Sequence, residues 1–336
     1  TPTTPTTPTP DPDPEPGVAG GFDLVDTGQA TCYSDSGVIA DPTEGSAWYG
    51  QDAQYEGHAF RYVDNGDGTV SDLVTGLMWQ QDPGAKVTFA EAKANAASFT
   101  LAGHEDWRLP SIKELYSLID FRGVTGTSAA TSTPYLDTSV FVFRYGDESA
   151  GERFIDSQMA TRTEYVSTTM NGDHTMFGVN FADGRIKGYG TSGGPSGEKE
   201  FFCYYVRGNP DYGKNSFESN GDGTVTDEAT GLMWLQSDSG SFGVGDLADG
   251  ALNWQQALDW AENLHYAGHS DWRLPDAKEL QSLVDYTRSP STHGTAAIDP
   301  LFTCTGITNE AGQADYGQYW ASTTHLDGPT AGAQGV

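Results

Sequence analysis

One stretch of this chain occurs twice. Residues 102–120, AGHEDWRLPSIKELYSLID, return as AGHSDWRLPDAKELQSLVD at 267–285, so the fold has to be built from one unit made two times. In each copy a proline precedes a capping residue, Pro110 before Ser111 and Pro275 before Asp276, with Glu114 or Glu279 three positions on. That is the capping-box pattern of a helix start. Ile112, Leu115 and Ile119, and in the second copy Ala277, Leu280 and Val284, recur at the spacing of one helix face, and such a face needs a core. Trp107 and Trp272 are large enough to anchor it, while Arg108 and Arg273 have Asp106 and Asp271 close by as partners. Trp107, Arg108, Pro110, Trp272, Arg273 and Pro275 are therefore read as architecture rather than active site.

The repeat extends upstream. FRYVDNGDGTVSDLVTGLMWQQ from Phe60 matches FESNGDGTVTDEATGLMWLQ from Phe217, and Asn-Gly and Asp-Gly pairs between apolar runs predict a hairpin. After LMW the spacing predicts helices over Phe89–Phe99 and Asn253–Tyr266, with Gly103 and Gly268 as C-caps. Between these landmarks the second copy is longer, and SDSGSFGVGDLADGAL is the inserted surface loop. Long, weakly patterned regions follow at 121–162 and 286–318, and loops of that length in compact domains tend to carry function. Both copies return to strand character at EYVSTT and QYWASTT, so Ser167, Thr168 and Thr169 are matched with Ser322, Thr323 and Thr324. The first copy continues through MFGVNFADGRIKGY and FFCYYVRG, for which the second has no counterpart. The expectation is an unpaired sheet edge, in a chain that is either a fragment or is completed by another chain, self-assembly included.

These features divide the chain into a Pro/Thr-rich stalk at 1–17, a lead-in at 18–58 packed on the first module, a first module at 59–208 and a second at 209–336 lacking its last strands. The expected class is α+β, with two helices per module packed on short, mostly antiparallel strands and many loops. Lys and Arg number 17 against 47 Asp and Glu, a net charge of −30 that argues against nucleic acid as a partner. No apolar run has the length of a membrane span.

Chemistry-bearing residues are few. The acidic turns offer Asp64, Asp67 and Asp72, and Asp222 and Asp227, as oxygen ligands for calcium, with plain hairpin turns as the other reading. The three cysteines, Cys32, Cys203 and Cys304, have no metal-ligand spacing. A Cys32–Cys203 disulfide would tie the lead-in to the first module's final strand, and three buried or free thiols are the alternative. His104 and His269 recur at one place in each module and are read as structural. For recognition the aromatic and amide residues of the long regions stand out, Tyr135, Tyr145, Tyr316, Tyr319 and Trp320 with Asn309 and Gln313, because stacking faces with hydrogen-bonding groups suit sugars or protein loops. Catalysis would have to use His293 and His325 with Asp299 or Asp315, and no GxSxG frame supports an activated serine.

The motifs NGDGTV-D--TGLMW and DWRLP--KEL-SL-D, followed by YW-STT, together resemble the Lcl C-terminal domain family, and the lead-in TGQATCYSDSG and YGQDAQY is similar to the segment preceding it in many members. The resemblance covers about residue 24 to 336. It implies C-type-lectin-like modules related to formylglycine-generating-type domains, a bacterial protein exported and displayed at the cell surface, and, for the adhesin that gives the family its name, binding of sulfated polysaccharides. That adhesin binds polyanions through basic surface, which this acidic chain does not supply, and the cysteine pair of the formylglycine-type enzymes is not in this sequence. The expectation is a secreted or surface-bound adhesin- or lectin-like protein that binds glycan or protein ligands without catalysis. A structural or assembly subunit is the alternative, and an enzyme of formylglycine-generating-like architecture the third reading.

Overall fold

The computed structural model describes residues 21–169, 172–191, 198–247 and 249–327, with the backbone of 332–335; the stalk assigned to 1–17 lies outside them. Both modules are α+β and open with the same antiparallel meander. Tyr62–Asp64 pairs with Thr69–Asp72, which pairs with Leu77–Gln80. Phe217–Ser219, Thr224–Asp227 and Leu232–Leu235 repeat it in the same register. Gly66 and Gly68, and Gly221 and Gly223, turn the first hairpin at positive φ, a conformation that costs a Cβ-bearing residue energy.

Thr88 caps Phe89–Ala96 and Asn253 caps Trp254–Glu262. Both helices stop well short of Gly103 and Gly268, so those glycines are not helix C-caps. With Ala102 and Ala267 they form two-residue turns at positive φ, closed by reciprocal backbone bonds between Leu101 and His104 and between Tyr266 and His269, which is the geometry of tight hairpin reversals. Ile112–Tyr116 and Ala277–Ser282 begin where the proline and capping box place them, each with the full reciprocal box.

The first module is closed by strands that run late in the sequence. Asp173–Asn180 pairs with Arg185–Gly190 on one side and with Gln158–Met159 and Glu164–Thr169 on the other. Val206–Gly208 then inserts between Leu77–Gln80 and the extended segment at Arg108, exchanging backbone bonds of 2.8 and 2.9 Å between Arg108 and Val206. Leu115, Ile119, Trp79, Phe181 and Tyr204 share the main core. Trp107, Phe89, Phe201, Cys203 and Tyr205 form a second cluster, in which Phe201, Cys203 and Tyr205 alternate along the chain with Phe202, Tyr204 and Val206 of the main core.

In the second module the expected match of the two STT triplets is replaced by another. Arg162 N donates to Pro110 O and Ser322 N to Pro275 O, while Ile112 N meets Thr163 Oγ1 and Ala277 N meets Thr323 Oγ1. Thr323 therefore stands where Thr163 stands, and Tyr319 and Trp320 stand where Met159 and Ala160 do. The hydroxyl that receives the helix N-terminus sets the register, and the STT triplet is a coincidence. Thr324–Asp327 is then the counterpart of Glu164–Thr169, and Gly332–Gly335 pairs with it.

The modules meet through equivalent helices, and the contact is reciprocal. Lys113 Nζ donates to Ser282 O at 2.6 Å, and Lys278 Nζ to Ser117 O at 2.9 Å. Burial lowers both ammonium groups to about 8. The lead-in bridges the two modules instead of packing on the first alone. The Gln29 amide pairs with both backbone groups of Thr324, Trp48 packs on Trp254 with ring centroids 5.6 Å apart, and Tyr55 lies under Arg273 and bonds Glu262. On the first module, Phe121 N donates to Thr27 O. No helix among the described residues is long and apolar enough to cross a membrane.

Candidate functional site

Leu115 and Ile119 are fully buried, because Val179, Phe181 and Tyr204 lie in the core beside them. Their counterparts Leu280 and Val284 have no such cover. They line a cleft of about 460 Å³ between the modules, within the size range of small-ligand sites. One wall is the hairpin turn of the first module, with Gly184, Arg185 and Ile186, beside Phe177; the other holds Gln281, Tyr286, Tyr319 and His325.

The wall chemistry is aromatic with a few polar handles. Tyr286 packs edge-on against Phe177 at 4.9 Å and accepts a hydrogen bond from Gln281 Nε2 at 3.2 Å. Burial pushes its phenol up to about 12, so it stays protonated with a hydrogen to donate. Arg185 is ion-paired with Asp327. His325 is held below its ordinary range by burial; its Nε2 lies 2.8 Å from Asp183 O and its ring stacks on Tyr135 at 5.2 Å. The site thus presents flat apolar faces, a neutral donor and a partnered cation.

Of the recognition residues expected from sequence, only Tyr319 lines this cleft, with its hydroxyl on Asp238 Oδ2 at 2.8 Å. Tyr135 is a correction: it is 0% exposed and its hydroxyl donates to Leu326 O, so it joins the modules and cannot meet a ligand. Tyr145 is half-buried between Phe143 and Phe154. Asn309 and Gln313 build the turn between Gly306–Thr308 and Ala314–Tyr316, Asn309 Oδ1 accepting from Ala311 N and Gln313 N. Tyr316 lies in that hairpin, and Trp320 is exposed with Nε1 on Leu252 O. Sequence reasoning did not single out Phe177, Arg185, Gln281 or Tyr286. Leu280 and Val284 carry the helix-face signal of core residues; that they line a cleft depends on strands elsewhere.

Calcium is not supported by the acidic turns, because the carboxylates are used as turn acceptors. Asp64 takes Gly66 N and Gln81 Nε2. Asp67 and Asp222 each take the backbone and hydroxyl of the threonine two residues on. Asp72 takes Val74 N and Thr75 N, and Asp227 takes Ser216 N, Ala229 N, Asn215 Nδ2 and Thr230 Oγ1. No group of three or more metal-binding side chains occurs among the described residues.

The Cys32–Cys203 disulfide is also corrected. All three cysteines are free, with Cys32 facing Asp41 Oδ1 at 3.6 Å and Cys203 inside the second core cluster. Arg108 and Arg273 bypass the adjacent aspartates for Glu114 and Glu279, at 2.5 Å each, because the capping box has already turned those carboxylates inward. Asp106 pairs instead with Arg207. His293 accepts from Ser289 N, Asp299 from Leu301 N, and Asp315 from Asn309 and Tyr316 N. Each of these groups is engaged locally, by a neighbour in its own turn or hairpin, rather than by one of the others or by His325.

Residues 68–207 and 223–334 match the family model described as the Lcl C-terminal domain. No curated protein and no solved structure matches the chain.

Proposed function

The chain belongs to the Lcl C-terminal domain family in two tandem copies, a membership that suggests a surface-associated protein, and from that premise we propose that it works by binding rather than turnover. Its modules are C-type-lectin-like, its place is outside the cell, and its ligand is a glycan or an extracellular protein. The observation that carries this reading is the cleft between the modules, where Phe177 and Tyr286 offer faces and Gln281 and Tyr286 offer hydrogen-bonding groups. Aromatic faces beside fixed amides suit the alternation of C–H faces and hydroxyls on a sugar, or a loop of protein. With a net charge of −30, a neutral ligand is favoured over a sulfated one.

Titration with neutral and sulfated oligosaccharides and with matrix proteins, followed by tryptophan fluorescence, tests the proposal. Saturable binding should weaken about two- to tenfold in Gln281→Ala, the loss of one net hydrogen bond, with the melting temperature unchanged. Binding that survives intact in both Gln281→Ala and Tyr286→Phe would remove the cleft from the reading.

A further inference from the structure

The reciprocal lysine contact between the modules is unequal in its chemistry. Lys278 Nζ donates to two backbone carbonyls, Asp26 O at 2.8 Å and Ser117 O at 2.9 Å. Lys113 Nζ donates to one, Ser282 O, and its second partner is a side chain, Asn215 Oδ1 at 2.8 Å. The other end of that carboxamide is held as well, with Asn215 Nδ2 donating to Asp227 Oδ2 at 2.8 Å. Asp227 is 0% exposed and is fixed by Ser216 N, Ala229 N and Thr230 Oγ1. An amine, a carboxamide and a buried carboxylate thus stand in one line.

That line has what an acyl transfer requires. Burial lowers the Lys113 ammonium to about 8 even though Asp227 and Asp285 both pull it up, so about a tenth of it is free amine at neutral pH, the nucleophilic form. Lys113 and Lys278 line one small cavity with Phe22, Tyr116 and Tyr212, and its volume of about 10 Å³ leaves little water to compete. The carboxamide turns its carbonyl to the amine and its nitrogen to the carboxylate, so a small side-chain rotation carries Nζ from Oδ1 onto Cγ. Groups held this way react as if at very high concentration.

We propose that Lys113 and Asn215 form an intramolecular isopeptide bond. Nζ attacks Cγ, the bond from Cγ to Nδ2 breaks, and one ammonia leaves. Asp227 takes the proton that Nζ sheds and passes it to the departing Nδ2. Nothing is oxidised or reduced, and no co-reactant enters. The bond joins the helix Ile112–Tyr116 of the first module to the start of the second, across 102 positions of sequence, and it restricts the unfolded chain as a disulfide of that span does. Lys278 occupies the equivalent place but faces only backbone carbonyls, so it stays an amine. The proposal is independent of any ligand in the cleft.

The purified chain is incubated at pH 7 and at pH 9, then weighed intact and after trypsin. The mass should fall by one ammonia, and the tryptic peptide carrying Lys113 should appear joined to the one carrying Asn215. Linkage should run about tenfold faster at pH 9, following the free amine; if it is complete on purification, the joined peptide reports it. Lys113→Arg and Asn215→Ala should show neither change, and the chain unfolded in urea should not link. Asp227→Asn should slow linkage at least about 100-fold, the low end for a positioned base. A parent mass unchanged at both pH values, ammonia lost without joined peptides as a succinimide would give, a joined peptide that carries Lys278 instead, or linkage at the parent's rate in Asp227→Asn would each overturn the proposal.

Discussion

Trp79 and Trp234 sit in the same LMW triplet, on the same strand of the same meander, in the same register, yet Trp79 is 0% exposed and Trp234 is only half-buried. Trp107 and Trp272 differ likewise, although both donate through Nε1 to the carbonyl six residues upstream at 3.3 Å. Local sequence sets local geometry in both modules. Burial is conferred from far along the chain, by Phe201–Gly208 in the first module. The second module is instead braced from outside the repeat, by the lead-in and by the first module itself.

The largest predicted effect tests this contrast directly. Trp79→Ala should cost about 3–5 kcal/mol in urea unfolding, the range for a large aromatic lost from a closed core. Trp234→Ala should cost about 1–2 kcal/mol, because a half-exposed side chain gains only part of its transfer energy on folding. Equal losses would mean that the second core is as closed as the first, and the comparison would fail.

The difference between the modules also explains what was legible in the sequence. Capping boxes, glycine turns and helix faces are local, so Ser111, Asp276, Gly66 and the Leu115 and Leu280 stripes are readable from the order of residues alone. Proximity in sequence favours Asp106 and Asp271 as partners of Arg108 and Arg273, whereas helix geometry brings Glu114 and Glu279 within reach. Tyr135 looked like a loop aromatic because nothing local announces that Leu326 O, 191 residues away, takes its hydroxyl. The cleft was invisible for the same reason, since it is set by which helix face stays uncovered.

The bracing by the lead-in has an electrostatic signature. Asp52 is buried and accepts hydroxyls from Thr27 and Thr323, and burial raises its carboxyl from 3.8 to about 6. A carboxyl raised in the folded state contributes stability that is fully present below its unfolded value and is lost as pH rises through the folded one. Asp52→Asn cannot titrate, so its stability relative to the parent should change between pH 7 and pH 4. The parent should gain on the variant by about 1–3 kcal/mol as the pH falls, from a shift of that size. Parallel stability curves for the two proteins across this window would show that Asp52 does not carry the charge in question.

The smallest effect reverses the usual order of the modules. Asp72 and Asp227 close the same turn, but Oδ2 of Asp72 has no hydrogen-bond partner among the described residues, whereas both oxygens of Asp227 are used, on Ser216 N and Ala229 N and on Asn215 and Thr230. Burial already favours the neutral form of Asp72, so Asp72→Asn replaces an oxygen that receives nothing. Asp227→Asn turns an acceptor into a donor facing the Asn215 amide, and should cost about 1 kcal/mol more than Asp72→Asn, the net worth of one hydrogen bond. Here the more open module is the more sensitive one, because the turn's satisfaction is decided by Asn215 at the junction and not by core closure. Measuring both variants with millimolar calcium and with excess chelator adds the decisive control. If these carboxylates serve the turn, the gap is the same in both conditions, and a gap that appears only with calcium would return the acidic turns to the role of cation ligands.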